Sequence, residues 1–301
     1  MMNAYLKALR APFLTGSVVP VIIGAALAFK EGVFVFSYFL VSLIGVAGLH
    51  LGGNLVNDYY DAGGSDPVNL RLTPFSGGSR VIQNGEITRG TVLAMALFFF
   101  AIGVFTGLWL VFEGRPLVLV IGLMGLVAGW TYSAPPLQLM SRGWGEVLIF
   151  FSFGPLVTLG TYYVMSGSLS SSAFILGIPQ GLFITDVIWI NQFPDYEADR
   201  RAGKNNLVVR LGPKISRYFY CTIMSMAYVS VILMIFLRGI SPLILISFFS
   251  FPLAFKAMRI LWREYLSHEG IIPAQALTIQ ALIAHGMLLS LSIGFSRFFW
   301  K

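Results

Sequence analysis

Residues 57–66 read Asn57-Asp58-Tyr59-Tyr60-Asp61-Ala62-Gly63-Gly64-Ser65-Asp66, and they close an apolar run that begins near residue 35. A second stretch, Asn191-Gln192-Phe193-Pro194-Asp195-Tyr196-Glu197-Ala198-Asp199, closes another apolar run, one that also contains Asp186. These two places hold all six aspartates of the 301-residue chain. Carboxylates beside a membrane span are costly unless they pair, bind a cation or face water. The pattern therefore asks for one cation-dependent task shared by both stretches.

The flanking runs set the fold class. The chain is 56% hydrophobic and 11% charged, whereas soluble domains carry about 25% charged residues. A helix rises about 1.5 Å per residue, so about 20 residues cross a hydrocarbon core of about 30 Å. Runs of that length predict nine transmembrane helices, near 12–29, 35–57, 92–112, 117–133, 146–165, 173–193, 218–237, 242–258 and 276–296. The expected fold is an all-α polytopic bundle. No linker divides it, so residues 1–301 read as a single membrane-embedded domain.

Charge sets the expected orientation. With the N-terminus in the cytoplasm, fifteen of the 20 Lys and Arg fall inside: Lys7 and Arg10; Arg71, Arg80 and Arg89; Arg142; the six from Arg200 to Arg217; and Lys256, Arg259 and Arg263. This asymmetry marks cytoplasmic loops, and both acidic stretches then open to the cytoplasm. The net charge of +7 is accordingly a topology signal and not a nucleic-acid surface. The single cysteine, Cys221, has no internal disulfide partner, and His50, His268 and His285 are too scattered for a zinc site.

Spacing refines the chemistry. Asn57 and Asp61 are four apart and share a helix face, as do Asn191, Asp195 and Asp199, so the two halves echo each other. Asn54, Asp58 and Asp61 align in the same way. Carboxylates with amide partners, without histidine or thiolate, suit a hard cation. Mg²⁺ takes one or two carboxylates and completes its shell with water and phosphate oxygens. Two such clusters suit ions that grip a diphosphate between them. The loop Ser76-Gly77-Gly78-Ser79-Arg80 offers backbone N–H groups and a guanidinium to phosphate oxygens. Lys204 is the best basic candidate after the second stretch; Arg10 and Arg71 are weaker ones. Tyr59, Tyr60, Tyr132, Tyr162 and Tyr163 are candidates to line a site where a carbocation forms, because ring faces attract cations. A cation-coupled transporter is the non-enzyme alternative. Carrier aspartates, however, sit near the midplane of broken helices, whereas these lie at span ends and run into basic loops.

The two acidic stretches resemble the aspartate-rich motifs of the UbiA superfamily of intramembrane prenyltransferases. Within it the chain is most similar to the 1,4-dihydroxy-2-naphthoate polyprenyltransferases of menaquinone synthesis. Arg80-Val81-Ile82-Gln83-Asn84-Gly85-Glu86-Ile87-Thr88, Tyr132-Ser133-Ala134-Pro135-Pro136, Gly154-Pro155 with Gly160-Thr161-Tyr162-Tyr163, and 203–212 support that branch. The resemblance implies a multi-pass enzyme of the cell's inner membrane that moves a prenyl group from a polyprenyl diphosphate to a small aromatic acceptor with Mg²⁺. It implies that Asp58, Asp61, Asp66, Asp195 and Asp199 bind the metal, with Asp58, Asp61, Asp195 and Asp199 catalytic. Asn54, Asn57 and Asn191 would orient the diphosphate, Arg80 and Lys204 would contact it, and Tyr132 would border the prenyl or aromatic pocket. Four residues separate Asp61 from Asp66 where the superfamily's commonest form has three, and 73–78 is not the usual naphthoate-branch sequence. The alternative acceptors are 4-hydroxybenzoate, homogentisate, haem, chlorophyllide and a glycerol phosphate ether.

Overall fold

A computed structural model describes residues 2–300, with side chains from Ala4 onward. Within them the chain is helical and contains no strand. In hydrocarbon every backbone N–H and C=O must be satisfied inside its own segment, which leaves helices as the solution for such apolar runs. After a short amphipathic helix, Met2–Leu9, come α1 (Thr15–Lys30), α2 (Phe36–Asp61), α3 (Arg89–Phe112) and α4 (Val118–Thr131). They are followed by α5 (Gly145–Ser166), α6 (Ser171–Arg201), α7 (Pro213–Arg238), α8 (Pro242–Glu264) and α9 (Ile272–Phe299). Among the described residues eight of the nine expected spans are helices long and apolar enough to cross a membrane, and the ninth, α4, is a shorter apolar helix. The bounds shift most at α6, whose helix runs on to Arg201, so the second acidic stretch forms its last turns. α4 has only 14 residues, or about 21 Å, short of the hydrocarbon thickness.

Polar residues punctuate the chain where sequence logic places them. The Thr88 side chain accepts a hydrogen bond from Thr91 N to start α3, and Ser170 does the same for Ala173 N at the start of α6. α1 packs against α2, α5 and α9; α2 packs on α3; and α6 lies between α5 and α7. The close α5–α6 approach needs a glycine: a Cβ on Gly154 would come within 2.6 Å of Gly181 Cα. Phe183, Trp189, Tyr220, Met224 and Leu282 fill the main core around α6, α7 and α9. Phe98, Phe105, Phe112, Phe236 and Phe249 point outward, as expected of a surface that faces lipid. α6 is the most buried of the long helices, and it carries the second acidic stretch into the middle of the bundle.

Candidate active site

The two acidic stretches meet. Lys204 Nζ lies 2.9 Å from Asp61 Oδ1 and 3.5 Å from Asp199 Oδ1, bridging the end of α2 to the end of α6. Asn69 Nδ2 donates to Asp195 Oδ1 at 2.7 Å, a second tie between the halves. Within the first stretch Asn57 Nδ2 donates to Asp61 Oδ2 at 3.0 Å, the contact that i, i+4 spacing on one helix face allows. Within the second, Asn206 Nδ2 donates to Asp199 Oδ2 at 2.8 Å. Gln275 Nε2, on α9, donates to Asn191 Oδ1 at 2.9 Å.

All of these groups except Gln275 line the polar end of a cavity of about 310 Å³. Asn54, Asn57, Asp61, Asp66, Tyr132, Asn191, Asp195, Asp199 and Lys204 all border it, so most of the sequence-derived candidates share one space. Two do not line it. Asp58 is buried behind the wall: Oδ1 accepts from Ser79 N at 3.3 Å with Arg10 Nη1 at 3.8 Å, and Oδ2 has no hydrogen-bond partner. Arg80, expected to contact a diphosphate, instead turns its guanidinium onto the carbonyl oxygen of Asp66. Its backbone is left-handed, φ 66°. Asp186, grouped with the second stretch by sequence, lies one and a half turns up α6, fully buried, with both carboxylate oxygens unpartnered and outside the cavity. Of the tyrosines, only Tyr132 borders the cavity.

Asp66 sits beyond the end of α2 in a short 3-10 turn, Asp66–Val68. The helical echo of the second stretch therefore holds for Asn57 and Asp61 and stops there. The loop Gly77-Gly78 packs on Asp66. Both glycines have positive φ, and a Cβ on Gly78 would collide with the Asp66 carboxylate. Gln83 Nε2 donates to Asp66 Oδ2 at 2.9 Å. Burial, together with the nearby Asp61 and Asp58 carboxylates, pushes the Asp66 carboxyl up to about 7. Burial works to lower the Lys204 ammonium, but Asp61 and Asp199 outweigh it and raise it above the ordinary amine value. The geometry is that of a site short of positive charge: carboxylates crowd a pocket in which one lysine bridges two of them.

Among the described residues no three acidic, histidine or cysteine side chains converge tightly enough to cage an ion by themselves. The donors are carboxylate and amide oxygens spread over two walls, and Asp58 keeps a buried, unpaired oxygen. This set fits hard divalent ions that complete their shell with water and ligand phosphates. From the polar end the cavity continues along an apolar arm between α2, α3, α4 and α5, past Val41, Gly45, Leu110, Val118, Ile121 and Gly122. Val41 and Asp61 are 20 residues apart on α2, about 30 Å, so the cavity, polar end and arm together, spans nearly the whole hydrocarbon.

Residues 17–270 match the model of the UbiA prenyltransferase family. The chain belongs to that family. Its relatives include the 1,4-dihydroxy-2-naphthoate octaprenyltransferase of Escherichia coli, 32% identical, with 74% of this chain and 73% of the relative aligned. The enzyme of the same name from Bacillus subtilis is 24% identical, over 95% and 90% of the two chains. A UbiA homologue from Archaeoglobus fulgidus, solved with GPP and Mg²⁺, shares the fold at a TM-score of 0.61 and 18% identity, covering 95% of this chain and 99% of that one. This UbiA-family protein is thus a multi-pass membrane prenyltransferase. Sequence reasoning missed Asn69, Gln83 and Asn206, which hold Asp195, Asp66 and Asp199. Gln83 and Asn206 lay within stretches that carried the resemblance; Asn69 is a single polar residue in a loop and carries no periodic signal.

Proposed function

We propose that this enzyme transfers a polyprenyl group from its diphosphate to 1,4-dihydroxy-2-naphthoate, with Mg²⁺ held by the cavity-lining Asp61, Asp66, Asp195 and Asp199 and with Asp58 adding its negative charge from behind the wall. One observation carries the reading: both acidic stretches border one end of a single cavity that continues as an apolar arm, the whole running along about 30 Å of α2. A diphosphate fits the first part and a hydrocarbon tail the second. The naphthoate relatives and the GPP- and Mg²⁺-bound neighbour support the donor, metal and acceptor. The side with the acidic stretches faces the cytoplasm of the cell's inner membrane, in keeping with the excess of Lys and Arg there.

Lys204 and the Asn54, Asn57 and Asn191 amides bind and orient the diphosphate, while Arg80 and Gln83 hold Asp66 in place. Bound Mg²⁺ would supply charge neutralisation for the leaving group. As the C–O bond to the diphosphate breaks, Lys204 meets the growing negative charge from a fixed position, and such preorganised charge lowers the barrier. The apolar arm keeps water from the allylic cation, so a ring carbon of the acceptor captures it, and the ring regains its aromaticity by releasing the acceptor carboxylate as CO₂ or a proton to solvent. Purified protein with Mg²⁺, a polyprenyl diphosphate and 1,4-dihydroxy-2-naphthoate should form the prenylated product. EDTA should stop the reaction and added Mg²⁺ restore it. Asp61→Ala or Asp195→Ala with near-normal turnover would refute the metal assignment.

A further inference from the structure

His50 lines the same cavity on α2, one helical turn from Asn54 and two from Asn57, on the membrane side of both. Its hydrogen bonding favours one tautomer. The Ser17 hydroxyl donates its only proton to the Leu14 carbonyl at 3.0 Å. Ser17 Oγ is also 2.9 Å from His50 Nδ1, so at that contact it accepts, and Nδ1 carries the hydrogen. In the neutral ring selected by this bond, Nε2 bears the lone pair. Nε2 has no hydrogen-bond partner among the described residues, and the half-buried ring borders open cavity. One turn away, the buried Asn54 Nδ2 is also unpartnered. Phe153 presses on the imidazole at 4.8 Å in an edge-on contact, and apolar side chains including Phe13, Ile184 and Ile188 line the same cavity. A largely apolar cavity wall with an aromatic edge and one acceptor nitrogen suits a hydroxylated aromatic ring.

We propose that His50, held by Ser17, binds the aromatic acceptor by receiving the hydrogen of one ring hydroxyl at Nε2, and so selects hydroxylated rings over rings that lack the proton. The placement matches the reaction geometry. His50 is eight residues from Asp58 on α2, about 12 Å along the axis, so a ring held there lies between the diphosphate end and the membrane interior. The hydrogen bond also holds the hydroxyl whose electrons activate the ring carbon toward the allylic cation. This inference rests on the prenyl-transfer reading and deepens it.

The test uses the full-length enzyme in detergent with Mg²⁺. It measures binding and KM for 1,4-dihydroxy-2-naphthoate, for each of its two mono-O-methyl ethers, and for the prenyl diphosphate. In the native enzyme one ether should bind at least about 10-fold more weakly than the parent, because a built hydrogen-bond acceptor is left unpaired. His50→Phe should bind parent and ether alike, and His50→Gln, which keeps an acceptor, should retain part of the discrimination. Ser17→Ala, which releases the tautomer, should fall between native and His50→Phe. Binding of the prenyl diphosphate should stay within about threefold throughout, a readout that a general packing defect would move. Equal discrimination by the native enzyme and His50→Phe, or two ethers that bind the native enzyme like the parent, would overturn the assignment alone. If His50→Phe does not fold, the ether comparison in the native enzyme and in His50→Gln decides. Failure of the native enzyme to bind the prenyl diphosphate would overturn the underlying reading as well.

Discussion

Replacing Lys204 with methionine keeps most of the volume and removes the ammonium that joins the two acidic walls. At 2.9 and 3.5 Å from Asp61 and Asp199, each attraction is about 5 kcal/mol at an effective dielectric near 20, before desolvation is subtracted. Breaking one side of a buried pair costs about 3–5 kcal/mol. The Lys204 side chain keeps 13% of its exposure and borders a polar cavity, so the lower end, about 3 kcal/mol, applies to the metal-free protein. Divalent ions supply the missing charge, so Mg²⁺ should raise the thermal midpoint of Lys204→Met more than that of the native protein. Turnover is a separate matter, since an ion beside a carboxylate does not replace a donor aimed at the departing diphosphate. Loss of one such donor lowers kcat by about 10²–10³. The assays are thermal unfolding with and without Mg²⁺, and product formation at saturating substrate. Turnover within about threefold of native, with an unchanged Mg²⁺ effect on stability, would refute the role given to Lys204.

Gly78→Ala should lower stability by about 1–2 kcal/mol through its positive φ and also reduce activity, because the new Cβ displaces the Asp66 carboxylate. Gly85→Ala is the control: its φ is +69° but it faces open space, so denaturant titration should show a similar stability loss with activity kept. Asn206→Leu should weaken Mg²⁺-dependent binding of the prenyl diphosphate by about 10-fold, since Asp199 loses a buried hydrogen bond; unchanged affinity by equilibrium titration would contradict this. Gly122, which lines the apolar arm with no atom near its missing Cβ, tests where the tail lies. Gly122→Phe should raise KM for a long-chain donor and leave that for geranyl diphosphate unchanged, and equal effects on both would place the tail elsewhere.

The eight spans and the shorter α4 among the described residues were readable because each is a long, predominantly apolar run, and the backbone has no other way through lipid. The junction of the two acidic stretches was readable from their matched spacing: Asn57 with Asp61 and Asn191 with Asp195 repeat one helix face. What escaped was set by conformation and not by composition. Arg80 looked like a phosphate ligand, but its backbone has a positive φ and its guanidinium turns back to the Asp66 carbonyl. Asp58 looked equivalent to Asp61, yet three residues along a helix rotate it about 60° away from that face, into the wall against Ser79 and Arg10. His50, read only as a failed zinc ligand, gained meaning once Ser17, 33 residues earlier, was seen beside it.

The 14-residue length of α4 bears on how the enzyme meets its host membrane. One face of this helix, Val118, Ile121, Gly122 and Gly125, borders the apolar arm, and Leu119, Val120, Leu123 and Met124 on the other are exposed. A single short helix is thus the partition between the arm and the surrounding acyl chains. Because it is about 9 Å shorter than an average hydrocarbon layer, lipids beside it must compress or tilt over its ends. Catalysis should therefore respond to the chain length of the phospholipids in which the protein is reconstituted, with thinner bilayers relieving the mismatch at that partition.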